Sequence, residues 1–296
     1  MRWKKVALIG VGLLGGSLGM ALRKRKLAKR VVGFVRRPQS LRECERAGAV
    51  DEGTTDFASA IKGADLIIFC TPLSGMRVQA KQLKGLIEPG AVVTDVGSVK
   101  GSVVRELEAL VARAGGAFVG SHPMAGAEKS GVSAARPDLF QDAVCVVTPT
   151  RKTDRAALGK VERLWRDIGS CVLRLSPAQH DEMVSRTSHL PHLVAAGLAH
   201  RVLDPTAPRQ QSQLCANGFR DTTRIASGSP EMWRDIAMAN RASIGRALRN
   251  FIRDLENIRT LVARGNAKEI ERFLVKAKQR RDSWRNNIHI QPRSPE

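Results

Sequence analysis

Ser121-His122-Pro123-Met124-Ala125-Gly126 sets an imidazole in a loop directly after an apolar, strand-like run from Gly116 to Gly120. Near the start of the chain, Gly10-Val11-Gly12-Leu13-Leu14-Gly15 falls between a strand pattern and a helix pattern. In that setting the first glycine permits a tight turn and the second lets backbone approach a pyrophosphate. The third allows close helix–strand packing. The pyrophosphate would rest on amides at the helix N-terminus. A histidine at a strand end in a nicotinamide-binding chain points to proton transfer beside hydride transfer. A second loop, Asp95-Val96-Gly97-Ser98-Val99-Lys100, also follows a strand, so the Ser98 hydroxyl and the His122 imidazole could meet at one substrate oxygen. Spacing alone leaves His122 open between that role and an ordinary structural histidine.

The second strand bears on which dinucleotide is bound. NAD-type sites carry an Asp or Glu about 20 residues past the glycines, where it binds the ribose 2′-hydroxyl. Here the run is Gly33-Phe34-Val35-Arg36-Arg37-Pro38. Val35 holds the acidic position and cannot accept that bond. Arg36 and Arg37 suit a 2′-phosphate through charge-assisted hydrogen bonds. The expected cofactor is therefore NADP, with NAD as the alternative. Its site comprises Gly10, Gly12, Leu13, Leu14 and Gly15, with Arg36, Arg37 and the strand-ending pair Thr71-Pro72.

Further polar residues lie in the second half. In Ser188-His189-Leu190-Pro191-His192 the proline is expected to bend a helix, and the two histidines, three apart, share a face. Neither an HExxH pattern nor a carboxylate pair accompanies them, so no metal is expected. Arg220 and Arg224 are four apart on one predicted helical face. They could clamp a carboxylate, although by spacing alone they read as surface charges.

These residues need a scaffold. Strand patterns at Val6–Ile9, Val31–Val35, Leu66–Cys70, Ala91–Val96, Ala117–Gly120 and Val144–Thr148 are separated by helix patterns, from Ser17–Leu27 to Val103–Ala114. Continuous apolar strands between amphipathic helices predict an α/β fold with a Rossmann-type parallel sheet covered on both faces. From about residue 176 the period becomes helical. Ser176-Pro177 opens a helix to Leu203, and Ser229-Pro230-Glu231 caps one that keeps helical spacing to Gly265. Asn266-Ala267-Lys268-Glu269 resembles a capping box for a last helix. The expected domains are 1–175 for the dinucleotide and an all-α unit, 176–290, for substrate and dimerisation, with 291–296 as a tail. A helix of over thirty residues exceeds what such a domain covers alone, which predicts a homodimer.

Composition narrows the class. Hydrophobic residues make up 43% of the 296 residues, enough for packed cores. No run of about 20 apolar residues is present, so no membrane span is expected. The basic start, Met1 to Lys5, leads into a strand that glycines interrupt, rather than into a signal peptide. Five cysteines without a CxxC pair fit a reducing, cytoplasmic setting. Cys70, Cys145 and Cys171 are expected to be buried. The net charge of +21 is spread in proportion to length, +13 over residues 1–175 and +8 over 176–296. With aromatics at 4%, this argues against a nucleic-acid platform.

Taken together, GVGLLGGSL, FCTP at 69–72, DVGSVK at 95–100, SHPMAGAEKSG at 121–131, SHLPH at 188–192 and GFRDTTRIASGSPEMW at 218–233 resemble the prephenate/arogenate dehydrogenases of tyrosine biosynthesis. The resemblance covers almost the whole chain. It implies oxidative decarboxylation of prephenate to 4-hydroxyphenylpyruvate, or of arogenate to tyrosine. By that resemblance His122 takes the proton of the ring 4-hydroxyl and Ser98 helps position it. Arg224 binds a substrate carboxylate, and His189, His192 and Glu128 line the pocket. Trp233 lies near a subunit interface, and Arg220 ranks below the others. Val35 departs from the family's usual acidic residue. Two other readings share part of the pattern. One is a β-hydroxyacid or imine dehydrogenase of similar architecture, which would not need SHPMAG together with TRIA. The other is a nucleic-acid binder that senses NADP without turnover.

Overall fold

The computed structural model describes residues 2–126 and 131–287. Among these residues, eight strands form one sheet: β1 (Trp3–Ile9), β2 (Ala28–Phe34), β3 (Glu52–Thr54), β4 (Leu66–Phe69), β5 (Val92–Asp95), β6 (Ala117–Pro123), β7 (Val144–Thr148) and β8 (Cys171–Arg174). Their order is β3-β2-β1-β4-β5-β6-β7-β8. Every neighbouring pair is parallel except β6 and β7. The strand order reverses between β1 and β4, which opens a crevice at their carboxyl ends.

The helices α1 (Leu13–Lys24), α2 (Gln39–Arg46), α3 (Phe57–Ile61), α4 (Leu73–Lys81), α5 (Gly101–Arg113) and α6 (Arg155–Ile168) connect these strands. They cover both faces. Val6 and Leu8 of β1 pack in one hydrophobic cluster with Trp165 of α6, and Ala7 and Ile9 in another with Met76 of α4 and Leu107 of α5. Alternate side chains of a strand point to opposite faces, so a strand buried on both reads as a continuous apolar run.

Two features of the sheet differ from the sequence expectation. The strand carrying His122 does not end at Gly120. Its parallel partner β5 pairs only as far as Thr94 with Val119. Antiparallel β7 then takes over, pairing Ser121 with Val147, His122 with Val146 and Pro123 with Cys145. His122 is therefore a strand residue, held by the ladder to β7 on one side, and the sheet is mixed. The short strand β3 and the helix α6, bracketed by the Asp154 cap and the left-handed Gly169, had no counterpart in the periodicity reading.

The helical half comprises α7 (Pro177–Val184), α8 (Leu190–Val202), α9 (Arg209–Gln213), α10 (Asn217–Thr223), α11 (Pro230–Ala239), α12 (Arg241–Ala263) and α13 (Ala267–Asn287). The expected run from Ser229 to Gly265 breaks at Asn240, whose side chain is drawn inward to bond Asp181 O and His189. Around Pro191 the chain does not simply bend. Residues 185–189 form one wider π turn, in which the Leu190 N–H reaches Ser185 O. Arg224 opens a 3₁₀ turn, Arg224–Ser227, so it does not continue the α-helical face of Arg220. By contact density the chain divides into residues 1–243 and 244–296. Cys145 is buried as expected and Cys44 is too, whereas Cys70 and Cys171 are only half-buried. Among the described residues no helix is long and apolar enough to cross a membrane.

Candidate active site

The crevice between β1 and β4 is shaped by missing side chains. Gly10 has φ +97°, and a Cβ there would lie 2.8 Å from Thr71 Cγ2. At Gly15 a Cβ would stand 2.1 Å from Gly10 O, so α1 can approach the turn this closely only with glycine. A Cβ on Gly12 would meet nothing within 4 Å: the space in front of it is open. No acidic residue occupies the first turn of α1, which leaves its N-terminus free to attract an anion. This backbone cradle fits a dinucleotide pyrophosphate. A cleft of about 270 Å³ runs past it, lined by Gly10, Gly12, Arg36, Arg37, Thr71 and Pro72 among others. Among the described residues, Glu43 is the one acid on its wall. Leu13 and Leu14 turn their side chains onto the core, leaving their backbone at the cradle. Val35 packs inward as part of the core, while Arg36 and Arg37 are exposed. A neighbouring cleft of about 530 Å³ shares Arg36, Thr71 and Pro72 and is closed by Glu231 and Arg234 of α11.

Beyond this crevice lies a cluster of buried histidines. His122 keeps 9% of its surface, while His180, His189 and His192 keep 0%, 1% and 5%. Neither cleft is lined by them. His122 Nδ1 is 2.8 Å from His180 Nε2, and His180 Nδ1 is 2.8 Å from Asp181 Oδ1. Burial pushes the His122 pKa well below 6.5, and His180, Lys100 and His189 push it the same way. The ring is therefore neutral at neutral pH, as a proton acceptor must be.

The loop motif after β5 contributes more than its serine. Lys100 and Asp95 form an ion pair in which neither side chain has accessible surface. Lys100 Nζ also donates to Ser121 O at 2.9 Å, and Asp95 accepts from the backbone N–H groups of Gly97 and Ser121. Ser121 Oγ donates to Asp95 O at 2.6 Å. The pair thus ties the loop after β5 to the strand that carries His122. Ser98 sits half-buried on that loop, without a side-chain hydrogen bond among the described residues.

From the helical half, the π turn and α8 present His189 and His192 to one indole. His192 stacks on Trp233 with ring centroids 3.5 Å apart, and His189 meets it edge-on at 6.0 Å. Asn240 Nδ2 donates to Asp181 O at 2.8 Å and to His189 Nδ1 at 3.3 Å. An amide nitrogen can only donate, so His189 Nδ1 is the acceptor and the proton of the neutral ring lies on Nε2. That buried N–H has no partner among the described residues. An orphaned donor of this kind suits an anionic or carbonyl oxygen of a ligand. Burial lowers the His189 pKa to about 4, so this ring too is neutral. Arg220 and Arg224 are exposed, and the turn that begins at Arg224 packs against α8. Glu128 lies outside the described residues, as do Ala127, Lys129 and Ser130 of the same motif and the 291–296 tail. His180, Asp181, Asn240 and the Asp95–Lys100 pair had not been singled out from spacing. Adjacent His-Asp on a helix was the only signal for the first two, and nothing in their position tied them to His122.

The sequence models of two domains, the nucleotide-binding and the dimerization domain of prephenate dehydrogenase, match residues 18–174 and 176–276. The chain belongs to the prephenate dehydrogenase family. It is 37% identical to a prephenate dehydrogenase of Bacillus subtilis over 94% of this chain and 75% of that protein. Prephenate dehydrogenase from A. aeolicus, solved with hydroxyphenyl propionate and NAD+, superposes with a TM-score of 0.90 at 34% identity, covering 96% of this chain and 99% of the other. Synechocystis arogenate dehydrogenase superposes with a TM-score of 0.80 at 30% identity, covering 95% and 99%. The family's nucleotide-binding match begins just past the glycine cradle and ends at Arg174, the last residue of β8.

Proposed function

We propose that this chain oxidatively decarboxylates prephenate or arogenate, giving 4-hydroxyphenylpyruvate or tyrosine, with NADP preferred over NAD. The observation that carries the reading is a neutral, nearly buried His122 near the carboxyl end of β6, in a chain of this family. A bound nicotinamide would accept hydride from the ring carbon that bears the 4-hydroxyl, as carbon dioxide leaves and the ring becomes aromatic. His122 accepts the hydroxyl proton, and Ser98 helps to position ring and histidine. Arg224 binds a substrate carboxylate. His189, His192 and Glu128 line the pocket with Trp233, and Arg220 contributes least. The N–H on His189 Nε2 supports its part in holding a substrate oxygen.

Arg36 and Arg37 on the cleft wall, and a core-facing Val35 where an acid would bind the ribose, support NADP. Residues 1–175 serve the cofactor, and residues 176–290 serve the substrate and a homodimer. Exposed apolar side chains on α12 and α13, including Ile252, Leu255, Val262, Phe273 and Leu274, support the dimer. Initial rates of NADPH and NADH formation with prephenate and with arogenate test the activity. No turnover with either substrate would overturn it, and a higher kcat/KM with NAD than with NADP would reverse the cofactor assignment. Sedimentation as a stable monomer would remove the dimer.

A further inference from the structure

We propose that His180 and Asp181 are positioning residues, forming a carboxylate–imidazole–imidazole chain that fixes His122 with its proton on Nδ1 and its lone pair on Nε2. The inference deepens the reading of His122 as the proton acceptor and rests on it. It follows from the direction of each hydrogen bond, starting at the end that cannot be reversed. The backbone N–H groups of Lys100 and Gly101, at the start of α5, donate to Asp181 Oδ1 and Oδ2 at 2.7 and 2.8 Å. Backbone amides only donate, so both carboxylate oxygens are acceptors there. Burial alone would raise the Asp181 pKa; the bonds from His180 and from these two amides outweigh it and hold the group below 3.8, as the carboxylate.

A carboxylate cannot donate, so the proton between Asp181 and His180 sits on His180 Nδ1. His180 has no accessible surface, and burial first, with Lys100 nearby, lowers its pKa, which keeps the ring neutral. Its Nε2 is then a lone pair. Two lone pairs cannot face each other at 2.8 Å, so His122 Nδ1 must carry the proton. Neutral His122 is left with a lone pair on Nε2, the nitrogen turned away from His180. The tautomer needed of a proton acceptor is thereby set two residues away, at the amino end of α5.

The chain also has a consequence for the proton taken up. One proton enters at His122 Nε2 from the substrate hydroxyl, and nothing else is gained or lost. The N–H···N bond to His180 can then hold its proton on either ring. With the proton on His180, the new positive charge lies beside the Asp181 carboxylate, 2.8 Å away. The geometry parallels the aspartate that holds a catalytic histidine in one tautomer in serine hydrolases, with one more imidazole inserted.

The test reads the tautomer directly. Full-length protein labelled with ¹⁵N-histidine is examined by long-range ¹H–¹⁵N correlation at neutral pH, without substrate. His122 is expected to show a protonated Nδ1 and an unprotonated Nε2. In His180→Leu the tautomers should mix and kcat should fall on the order of 10²-fold, with cofactor Kd unchanged. In His180→Gln the amide oxygen can still accept from His122 Nδ1, so the tautomer should be kept and kcat should stay within about tenfold of the parent. Asp181→Asn can donate to His180 Nδ1 and so invert both rings, with an expected loss of up to about 10⁴-fold. A parent His122 protonated on Nε2, or a His180→Leu protein with unchanged tautomer and kcat, would overturn the proposal. The tautomer is seen in the free protein, so it stands or falls apart from the base assignment, which an unimpaired His122→Asn would remove by itself.

Discussion

At the cofactor crevice, Gly10 and Gly15 act by lacking a side chain, and every residue involved lies close to a neighbour in sequence. At the histidine cluster, His122, His180, Asp181, His189 and Asn240 act through the side chains themselves, joined by hydrogen bonds across up to 59 residues. The first region is open and indifferent to protonation. The second is closed, and its chemistry is decided by which nitrogen carries a proton. Within it, His122 and His189 are held as opposite tautomers, one with a free lone pair on Nε2 and one with a free N–H. A backbone cradle thus needs only shape, whereas a buried polar cluster needs each partner in its correct protonation state.

This contrast can be broken from either side. His122→Asn strikes the side-chain region, and is expected to lower kcat by about 10²–10⁴-fold while leaving cofactor affinity intact. Steady-state kinetics with cofactor titration checks both halves, and an equal loss of cofactor binding would show that the two regions are not separable. Lys100→Met leaves Asp95 charged and unpaired in the interior, and should cost about 3–5 kcal/mol of stability. Urea unfolding measures it; a parent-like midpoint would mean that the ion pair does not hold the His122 strand to its neighbouring loop.

On the cradle side the expected effects are smaller. Arg36→Ala and Arg37→Ala should each remove a charge-assisted bond worth about 1.5–3 kcal/mol, raising the KM for NADP roughly 10–150-fold. The KM for NAD should barely change, and a parallel rise for both would return the arginines to general surface charge.

Acid sharpens the comparison with the mildest perturbation. His122 must be neutral to accept a proton, and its pKa is depressed well below 6.5 by burial, then by His180, Lys100 and His189. Activity should therefore hold through neutrality and fall only below pH 6.5. The same depression is a stability statement. Below about pH 6.5 the unfolded chain binds protons that the folded histidines refuse, so unfolding free energy should drop by about 1.4 kcal/mol per pH unit for each such ring. His189 continues this down to about 4. Urea midpoints that stay level between about pH 7.5 and about pH 5 would contradict the buried, neutral cluster.

Much of the molecule is legible in its sequence. The apolar runs at Val6–Ile9 and Leu66–Phe69 are strands because only a doubly covered sheet hides every side chain of such a run. The local shapes at Gly10, Gly12 and Gly15 are legible because a turn, an open approach and a close contact are local demands. His189 and His192, three apart, both meet one indole, that of Trp233, although their spacing pointed only to a shared face. Other features were hidden. The extension of β6 through His122 depends on antiparallel β7, which Gly120, Ser121 and Pro123 do not advertise. The interruption at Asn240 depends on a carbonyl of Asp181, 59 residues away.

The residue pattern by itself determined the sheet, the glycine cradle, the arginine pair on its wall and the kinship with prephenate dehydrogenases, because periodicity and short motifs are properties of neighbouring residues. Tertiary structure alone decided the mixed end of the sheet, the buried Asp95–Lys100 tie and the tautomers of His122 and His189. Each of these turns on hydrogen bonds between side chains far apart in the chain, and a bond of that kind has no period to read.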